Sequence, residues 1–279
     1  MGLLYRFASQ WVAGEELEAA LDRVAERNGH GMGAILNVLG EHHKDKAEVE
    51  EAVQEYVRVV KAIRSRELDA CVSIKLTQLG LIINEAFGLQ QAFRVLQACR
   101  DNGQFLWVDM ESSGFTDATI RIYRSLHDAY SATGVCLQAN LRRTRKDLEA
   151  LVALGGRVRL VKGAYREDER QAFRDRREVD ANTLALTRTL FQRSEGFAIG
   201  SHDGKVVDQA LVMSSTHPRR FEFQFLLGVR EPLKRELVRK GFRVVEYVPY
   251  GPNWLPYFTR RLRERPRNIL TMVRSLLSG

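Results

Sequence analysis

This chain has little cysteine, no metal-binding spacing and no long apolar run, and each shortage removes a class of protein. Its three cysteines, Cys71, Cys99 and Cys136, are odd in number and far apart, and their immediate neighbours are mostly apolar. A disulfide framework needs paired, closely spaced cysteines, so these are read as reduced core thiols. Neither Cys-x-x-Cys nor His-Glu-x-x-His occurs, and the six histidines are scattered apart from His42-His43. Adjacent histidines in a polar stretch suit a solvated loop better than a shared ion, and no metal site is expected. No stretch approaches the roughly 18–20 apolar residues that cross a bilayer. Met1 to Trp11 has neither the basic start nor the continuous apolar run of a signal peptide. The expectation is a cytoplasmic protein whose membrane contact, if any, is peripheral and on the inner face of the cell membrane. No Gly-x-Gly-x-x-Gly follows the first strand candidate, which removes the main sign of an open dinucleotide-binding sheet.

What is present is a chain of 279 residues, 44% hydrophobic and 28% charged, the profile of an ordinary globular protein. A formal charge of +8 admits an anionic cofactor, an anionic lipid surface or nucleic acid. The basic residues are interleaved with acidic ones, as in Arg166-Glu167-Asp168-Glu169-Arg170 and Arg174-Asp175-Arg176-Arg177-Glu178. Such mixing suits solvated helix faces and not a stripe that tracks phosphates, so nucleic acid is not expected as a partner.

Periodicity supplies the fold. Around Leu17 to Val24 the apolar positions have helical spacing, predicting an N-terminal helical arm over residues 1–30. Thereafter short aliphatic runs alternate with helix-sized amphipathic segments. The runs are Ala34–Leu39, Cys71–Leu76, Phe105–Met110, Val135–Ala139, Val158–Lys162, Phe197–Ser201, Phe221–Phe225 and Phe242–Tyr247. Eight βα units in strict alternation favour an α/β fold of the (βα)8 type, a TIM-like barrel over residues 31–279, over an open doubly wound sheet.

Chemistry on such a barrel sits at the C-terminal ends of the strands. Nearly every candidate strand carries polar residues there: Lys75, Asp109 with Glu111, Gln138, Arg159 with Lys162, Ser201 with His202, Gln224 and Tyr247. Singly, each could cap a helix or satisfy a loop; together they point to a ligand, because buried charge is costly without a partner. Arg159 is the sharpest case, lying within the apolar run Val158-Arg159-Leu160-Val161, where it needs an anion such as a reduced flavin, or an ion pair with Asp109 or Glu111. Near the end of the chain, Tyr257, Arg260, Arg261 and Glu264 fall on one face of a helix bounded by Pro256 and Pro266. Spacing alone fits either a basic surface helix at the barrel mouth or a two-arginine clamp for a carboxylate, with Glu264 orienting one guanidinium.

These residues, in this order, resemble the proline dehydrogenase family of the bacterial monofunctional type. The resemblance rests on Ser73-Ile74-Lys75-Leu76-Thr77-Gln78-Leu79-Gly80, Asp109-Met110-Glu111, Leu137-Gln138-Ala139, Arg159 through Tyr165, Phe221-Glu222-Phe223-Gln224, Tyr247 through Gly251, and Tyr257 through Glu264. It implies an FAD enzyme that oxidises L-proline to Δ1-pyrroline-5-carboxylate, with hydride passing from proline C5 to flavin N5 and electrons passing on to a membrane quinone. By the same resemblance Asp109 and Arg159 are the catalytic residues, with Arg159 near the flavin N5. Lys75, Arg260 and Arg261 hold the proline carboxylate, and Tyr165, Leu226 and Tyr247 wall the ring. Met110, Gln138, Arg159, Lys162, Gly163, Ala164, Ser201 and His202 contact FAD. Asn140, Ser201 and Leu227 depart from the family pattern, the first two among cofactor contacts and the third in the pocket wall. Two other readings stay open: a Schiff-base lyase or aldolase using Lys162 or Lys75, and a basic nucleic-acid or lipid-surface module in which Arg260 and Arg261 form a patch.

Overall fold

The computed structural model describes residues 8–218 and 220–264, the last three of these by their backbone alone. Pro266 and the side chain of Glu264 therefore lie outside the described residues. Helix α1 (Leu17–Gly29) precedes strand β1 (Gly33–Val38), and the chain then alternates through α2 (Lys46–Ser65), β2 (Ala70–Ile74), α3 (Glu85–Asp101), β3 (Leu106–Val108), α4 (Thr116–Ala129), β4 (Thr133–Gln138), α5 (Thr144–Ala153), β5 (Arg157–Val161), α6 (Arg176–Arg193), β6 (Gly196–Gly200), α7 (Gly204–Thr216), β7 (Arg220–Leu226), α8 (Glu231–Arg239), β8 (Val244–Tyr250) and α9 (Trp254–Glu264). The eight strands close in sequence order into a barrel, with β1 parallel to β8 from Gly33 opposite Val245 to Val38 opposite Tyr250.

Local chemistry sets the helix starts. Asp45, Asn84, Asp175 and Asp203 each cap a helix by accepting from a backbone N–H two residues on. The buried residues of α2 (Val49, Ala52, Val53, Tyr56, Val59, Val60, Ile63) recur every three or four positions, so one stripe of the helix faces the strands. The main core lies in this shell between strands and helices. Inside the barrel Ile35, Trp107, Ala198 and Val245 form a separate apolar layer. Trp107 reaches the middle because Gly134 opposite has no side chain; a Cβ there would stand 2.4 Å from the indole.

The first and last described helices break the simple ring. Helix α1 packs on β1 and β8, the flank that a helix following β8 would otherwise cover. It is fixed there by a charge cluster with a buried centre and a partly exposed edge. Lys234 of α8 pairs with Glu246 of β8, both wholly buried, and with Glu231 at 2.5 Å, while Arg27 of α1 lies 3.5 Å from Glu246 and 3.3 Å from Glu231. Helix α9 instead crosses the barrel mouth. Its Tyr257 and Phe258 form a small second core with Ala8, Trp11, Val12, Leu39 and Val229, and Trp254 Nε1 donates to Glu15 at 2.8 Å.

Four details differ from the sequence-based expectation. Strand β8 begins at Val244 and not at Phe242, which turns outward onto the Phe221 and Phe223 rings at 6.0 and 5.7 Å; Tyr247 is therefore a mid-strand residue. Arg159 also lies within its strand, with two residues on either side, and not at its end. Arg166 to Arg170 lie in the β5–α6 loop and not on a helix, with Glu167 accepting from the Ser113 N–H at 2.8 Å. Cys99 and Cys136 are buried thiols, but Cys71 is half-buried and lines a cavity at the strand starts. Among the described residues no cluster of ligating side chains could hold a metal, and no helix is long and apolar enough to cross a membrane.

Candidate active site

The C-terminal ends of the strands surround a cavity of about 640 Å³. Lys75 enters it just after β2, Asp109 and Met110 just after β3, and Gln138 from the end of β4. The segment Lys162-Gly163-Ala164-Tyr165 follows β5, Ser201 and His202 follow β6, Leu226 ends β7, and Tyr247 comes from β8; Arg260 and Arg261 reach in from α9. The residues that the resemblance implied all line this cavity except Arg159; of the other strand-end candidates Gln224 does not reach it, and Glu111 turns aside to accept from the Thr77 N–H at 3.0 Å. That arginine lies one layer deeper, in an adjoining pocket of about 150 Å³ that shares Asp109, His202, Leu226 and Tyr247 with the larger space.

Asp109 is the electrostatic centre. Its Oδ1 accepts from Ser73 Oγ at 2.7 Å and from the Arg159 guanidinium, and its Oδ2 accepts from the Tyr247 hydroxyl at 2.6 Å with Lys75 Nζ 3.6 Å away. Burial pushes the carboxyl up, but the Arg159 and Lys75 charges and the two hydroxyl donors outweigh it, holding Asp109 below the usual carboxylate range. Lys75 is further oriented by donating to Asn37 Oδ1 at 2.9 Å. Arg159, 4% exposed, lies against the Trp107 and Tyr247 rings at 5.0 and 5.7 Å and donates to Gln224 Oε1 at 3.1 Å. Of the two anions that sequence left open for it, the ion pair with Asp109 is formed. Burial, and the Asp109 charge next to it, raise the Tyr247 hydroxyl far above its ordinary value, so it stays a donor.

The wall opposite Lys75 is built differently. Lys162 is clamped between Asp180 and Asp203, the second at 2.6 Å; burial works against its charge, but the two carboxylates raise its pKa. Beside it Gly163, with φ +114°, adopts a backbone open to glycine, and a Cβ there would stand 2.1 Å from Asn140 Oδ1. With Gly163, Ala164, Gly200 and Ser201 all short, this side of the cavity is a ledge of backbone with few side chains above it. Gln138 braces the ledge, donating to the Glu111 carbonyl at 2.9 Å and accepting from the Ala164 N–H at 3.4 Å. His202 Nε2 accepts from the Leu226 N–H at 3.0 Å, which leaves its other ring nitrogen to carry the proton. On α9, Arg260 lies over the Tyr165 ring at 5.8 Å and 3.8 Å from Glu41, and Arg261 over the Tyr257 ring at 5.3 Å.

Sequence reasoning passed over Asn37, Ser73, Trp107, Arg176, Asp180 and Asp203 as site residues. Asn37 and Ser73 carry a signal, being polar residues inside apolar strands and in phase with inward-facing neighbours. Asp180 and Asp203 carry none, since as charged residues near helix starts they resemble ordinary caps.

The fold and the pocket define a (βα)8-barrel enzyme with its ligand site at the strand C-termini. The proline dehydrogenase family model matches residues 20–271, and the chain belongs to that family. It is 32% identical over 273 residues to proline dehydrogenase 1 of Bacillus subtilis subsp. natto, covering 97% of this chain and 90% of that protein. It is also 32% identical over 284 residues to the proline dehydrogenase of Deinococcus radiodurans, covering 99% and 92% respectively. Among solved structures, proline utilization A from Bdellovibrio bacteriovorus inactivated by N-propargylglycine superposes with a TM-score of 0.86 at 22% identity, a likeness of fold. That match covers 92% of this chain and 32% of the larger one, so this chain spans about a third of it.

Proposed function

We propose that the protein oxidises L-proline to Δ1-pyrroline-5-carboxylate with FAD as its cofactor and a membrane quinone as the final acceptor, and that residues 31–279 are the catalytic barrel, with residues 1–30 an arm against it. The observation that carries the reading is the charge balance of the cavity. Its three lining carboxylates are engaged by cations, Asp109 by Arg159 and Lys75, and Asp180 and Asp203 by Lys162, while Arg176, Arg261 and Arg260, the last 3.8 Å from Glu41 outside the cavity lining, leave the balance positive. A small carboxylate fits that excess, and two planar guanidiniums suit its two oxygens.

In this reading Lys75 completes the shell around the proline carboxylate, and Tyr165, Leu226 and Tyr247 wall the ring. Oxidation removes the C5 hydrogen with its electron pair and a proton from the ring nitrogen, leaving a C5=N bond. The flavin, when bound, supplies the two-electron acceptor. The residues fit such a group: the backbone ledge at Gly163, Ala164, Gly200 and Ser201 leaves room for a flat ring system. Met110, Gln138, Lys162 and His202 border it, and Arg159 lies beneath with a fixed positive charge suited to an acceptor that gains negative charge. Asp109 keeps Arg159 and Lys75 in place and balances their charge.

A Schiff-base role is disfavoured by the same geometry. Lys162 is held protonated between two carboxylates, the opposite of an activated amine, and Lys75, the other candidate, is tied to Asn37 at 2.9 Å with the Asp109 carboxylate 3.6 Å away. Arg260 and Arg261 line a pocket and do not stand out as a patch for polyanions. The visible spectrum tests the proposal. The purified protein is expected to be yellow and to bleach on anaerobic addition of L-proline; a colourless preparation that stays inactive when FAD is added back overturns it.

A further inference from the structure

Strand β7 runs its polar residues through the barrel interior from end to end. Phe221, Phe223 and Phe225 pack outward in the shell, while Glu222, Gln224 and Leu226 point inward on the alternate phase. Glu222 lines a cavity of about 590 Å³ at the strand starts, and Leu226 lines the site cavity at the opposite end. Gln224 joins them. Its Nε2 donates to Glu222 Oε1 at 2.6 Å, its Oε1 accepts from the Arg159 guanidinium at 3.1 Å, and Arg159 in turn donates to Asp109. Barrel interiors are ordinarily filled by apolar layers, so this polar thread needs a reason.

The chemistry of the three groups gives the thread a direction. A carboxylate only accepts and a guanidinium only donates, so an amide between them has one orientation that satisfies both. We propose that Glu222, on the face of the barrel away from the ligand, is a positioning residue for the active site: it locks the Gln224 amide with its oxygen toward Arg159 and so fixes where that guanidinium points. The inference rests on the proposed role of Arg159 beneath the flavin. It concerns orientation and not proton transfer, because a guanidinium does not give up its proton. Burial holds the Glu222 carboxyl above its ordinary value although the Gln224 bond and the Arg243, Arg157 and Arg159 charges pull it down, and either form of the group keeps an acceptor oxygen for the Gln224 amide.

The test compares Glu222→Met, Glu222→Gln, Gln224→Met and the double variants, with Arg159→Met alongside, by steady-state kinetics and by the midpoint potential of the bound flavin. Glu222→Met frees Gln224 to turn its NH2 toward Arg159. It is expected to lower kcat about tenfold and to lower the flavin potential, while the proline KM, set on the α9 wall, stays within about twofold. Glu222→Gln, which still offers an acceptor, should restore most of both. In the Gln224→Met background neither Glu222 change should add anything. If Glu222→Met does not accumulate as folded protein, the decision falls to the other variants: Gln224→Met must lower kcat and potential, and adding Glu222→Gln must leave them there. Unchanged kcat and potential in Glu222→Met and Gln224→Met, or equal effects of the Glu222 changes with and without Gln224, overturns the inference. A silent Arg159→Met removes instead the proposed role of Arg159, so the two failures are distinguishable.

Discussion

Two buried ion pairs of nearly the same composition do opposite work in this barrel. Arg159 and Asp109 meet under the ligand cavity, and Lys234 and Glu246 meet on the barrel's outer flank beneath α1 and α8. Asp109 has Ser73, Tyr247 and Arg159 as hydrogen-bond donors and Lys75 close by, and its carboxyl is held low. Among the described residues Glu246 has one donor, Lys234, and Glu246 Oε2 and Arg27 Nε, 3.5 Å apart, make no hydrogen bond. Burial therefore dominates, and its carboxyl is pushed up despite the ammonium beside it. Partner number, more than pairing itself, decides which way the pKa of a buried carboxyl is pushed. The two pairs also separate function from construction, since only the first faces a space that a substrate can enter.

Cutting each pair sharpens the contrast. Lys234→Met strips the buried Glu246 of its hydrogen-bond donor and leaves, among the described residues, only Arg27, 3.5 Å away, beside it; breaking a buried pair in this way typically costs about 3–5 kcal/mol. A fall in Tm of roughly 10 °C is expected, with kcat per folded enzyme unchanged. Scanning calorimetry beside kinetics checks it, and an unchanged Tm would break the comparison. Asp109→Asn should act on both quantities, lowering kcat at least about a hundredfold as Arg159 and Lys75 lose their common anchor, while Tm falls less because the pocket admits water to the orphaned charges. A full rate in that variant would place Asp109 with Glu246 as a purely structural acid.

A smaller effect belongs to the α9 wall, away from either pair. Arg260→Met or Arg261→Met should raise the proline KM at least about tenfold with flavin content near normal. Near-normal KM in both removes the carboxylate clamp. The smallest effect is in pH. Asp109, with its folded pKa lowered, contributes stability above the ordinary aspartate value, about 3.9, that is lost as pH falls through the folded value. Glu246, with its folded pKa raised, contributes stability below the ordinary glutamate value, about 4.3, that is lost as pH rises through the folded one. The cost of Asp109→Asn should therefore shrink toward acid and that of Glu246→Gln toward neutral pH, read as Tm against pH; parallel trends would contradict the two assignments.

The barrel was legible in the sequence because buried parallel strands write themselves as short aliphatic runs at even spacing. The residues at the mouth were legible because polar side chains interrupted those runs at the same phase. Depth was not. Arg159 and Tyr247 read as strand-end residues, yet lie within their strands, since barrel shear is a property of the closed sheet and of no single strand. Lys162 read as a cofactor partner, but its two aspartates come from α6 and the start of α7, and no local pattern announces that meeting. Glu246 read as one residue of a strand, and nothing marked its partner on α8.

Helix α9 is seated by the segment around Ala8 to Glu15, and Trp254 and Glu15 are 239 residues apart in sequence. Contacts of that range incur the full entropy of loop closure and form late. During synthesis the seat formed by Ala8 to Glu15 emerges before any strand, but the wall bearing Arg260 and Arg261 follows β8 and can dock only once all eight strands have been made. On the proposed reading the carboxylate clamp is thus added after the barrel, and a chain stopped before Trp254 would lack the two guanidiniums however well its strands had closed.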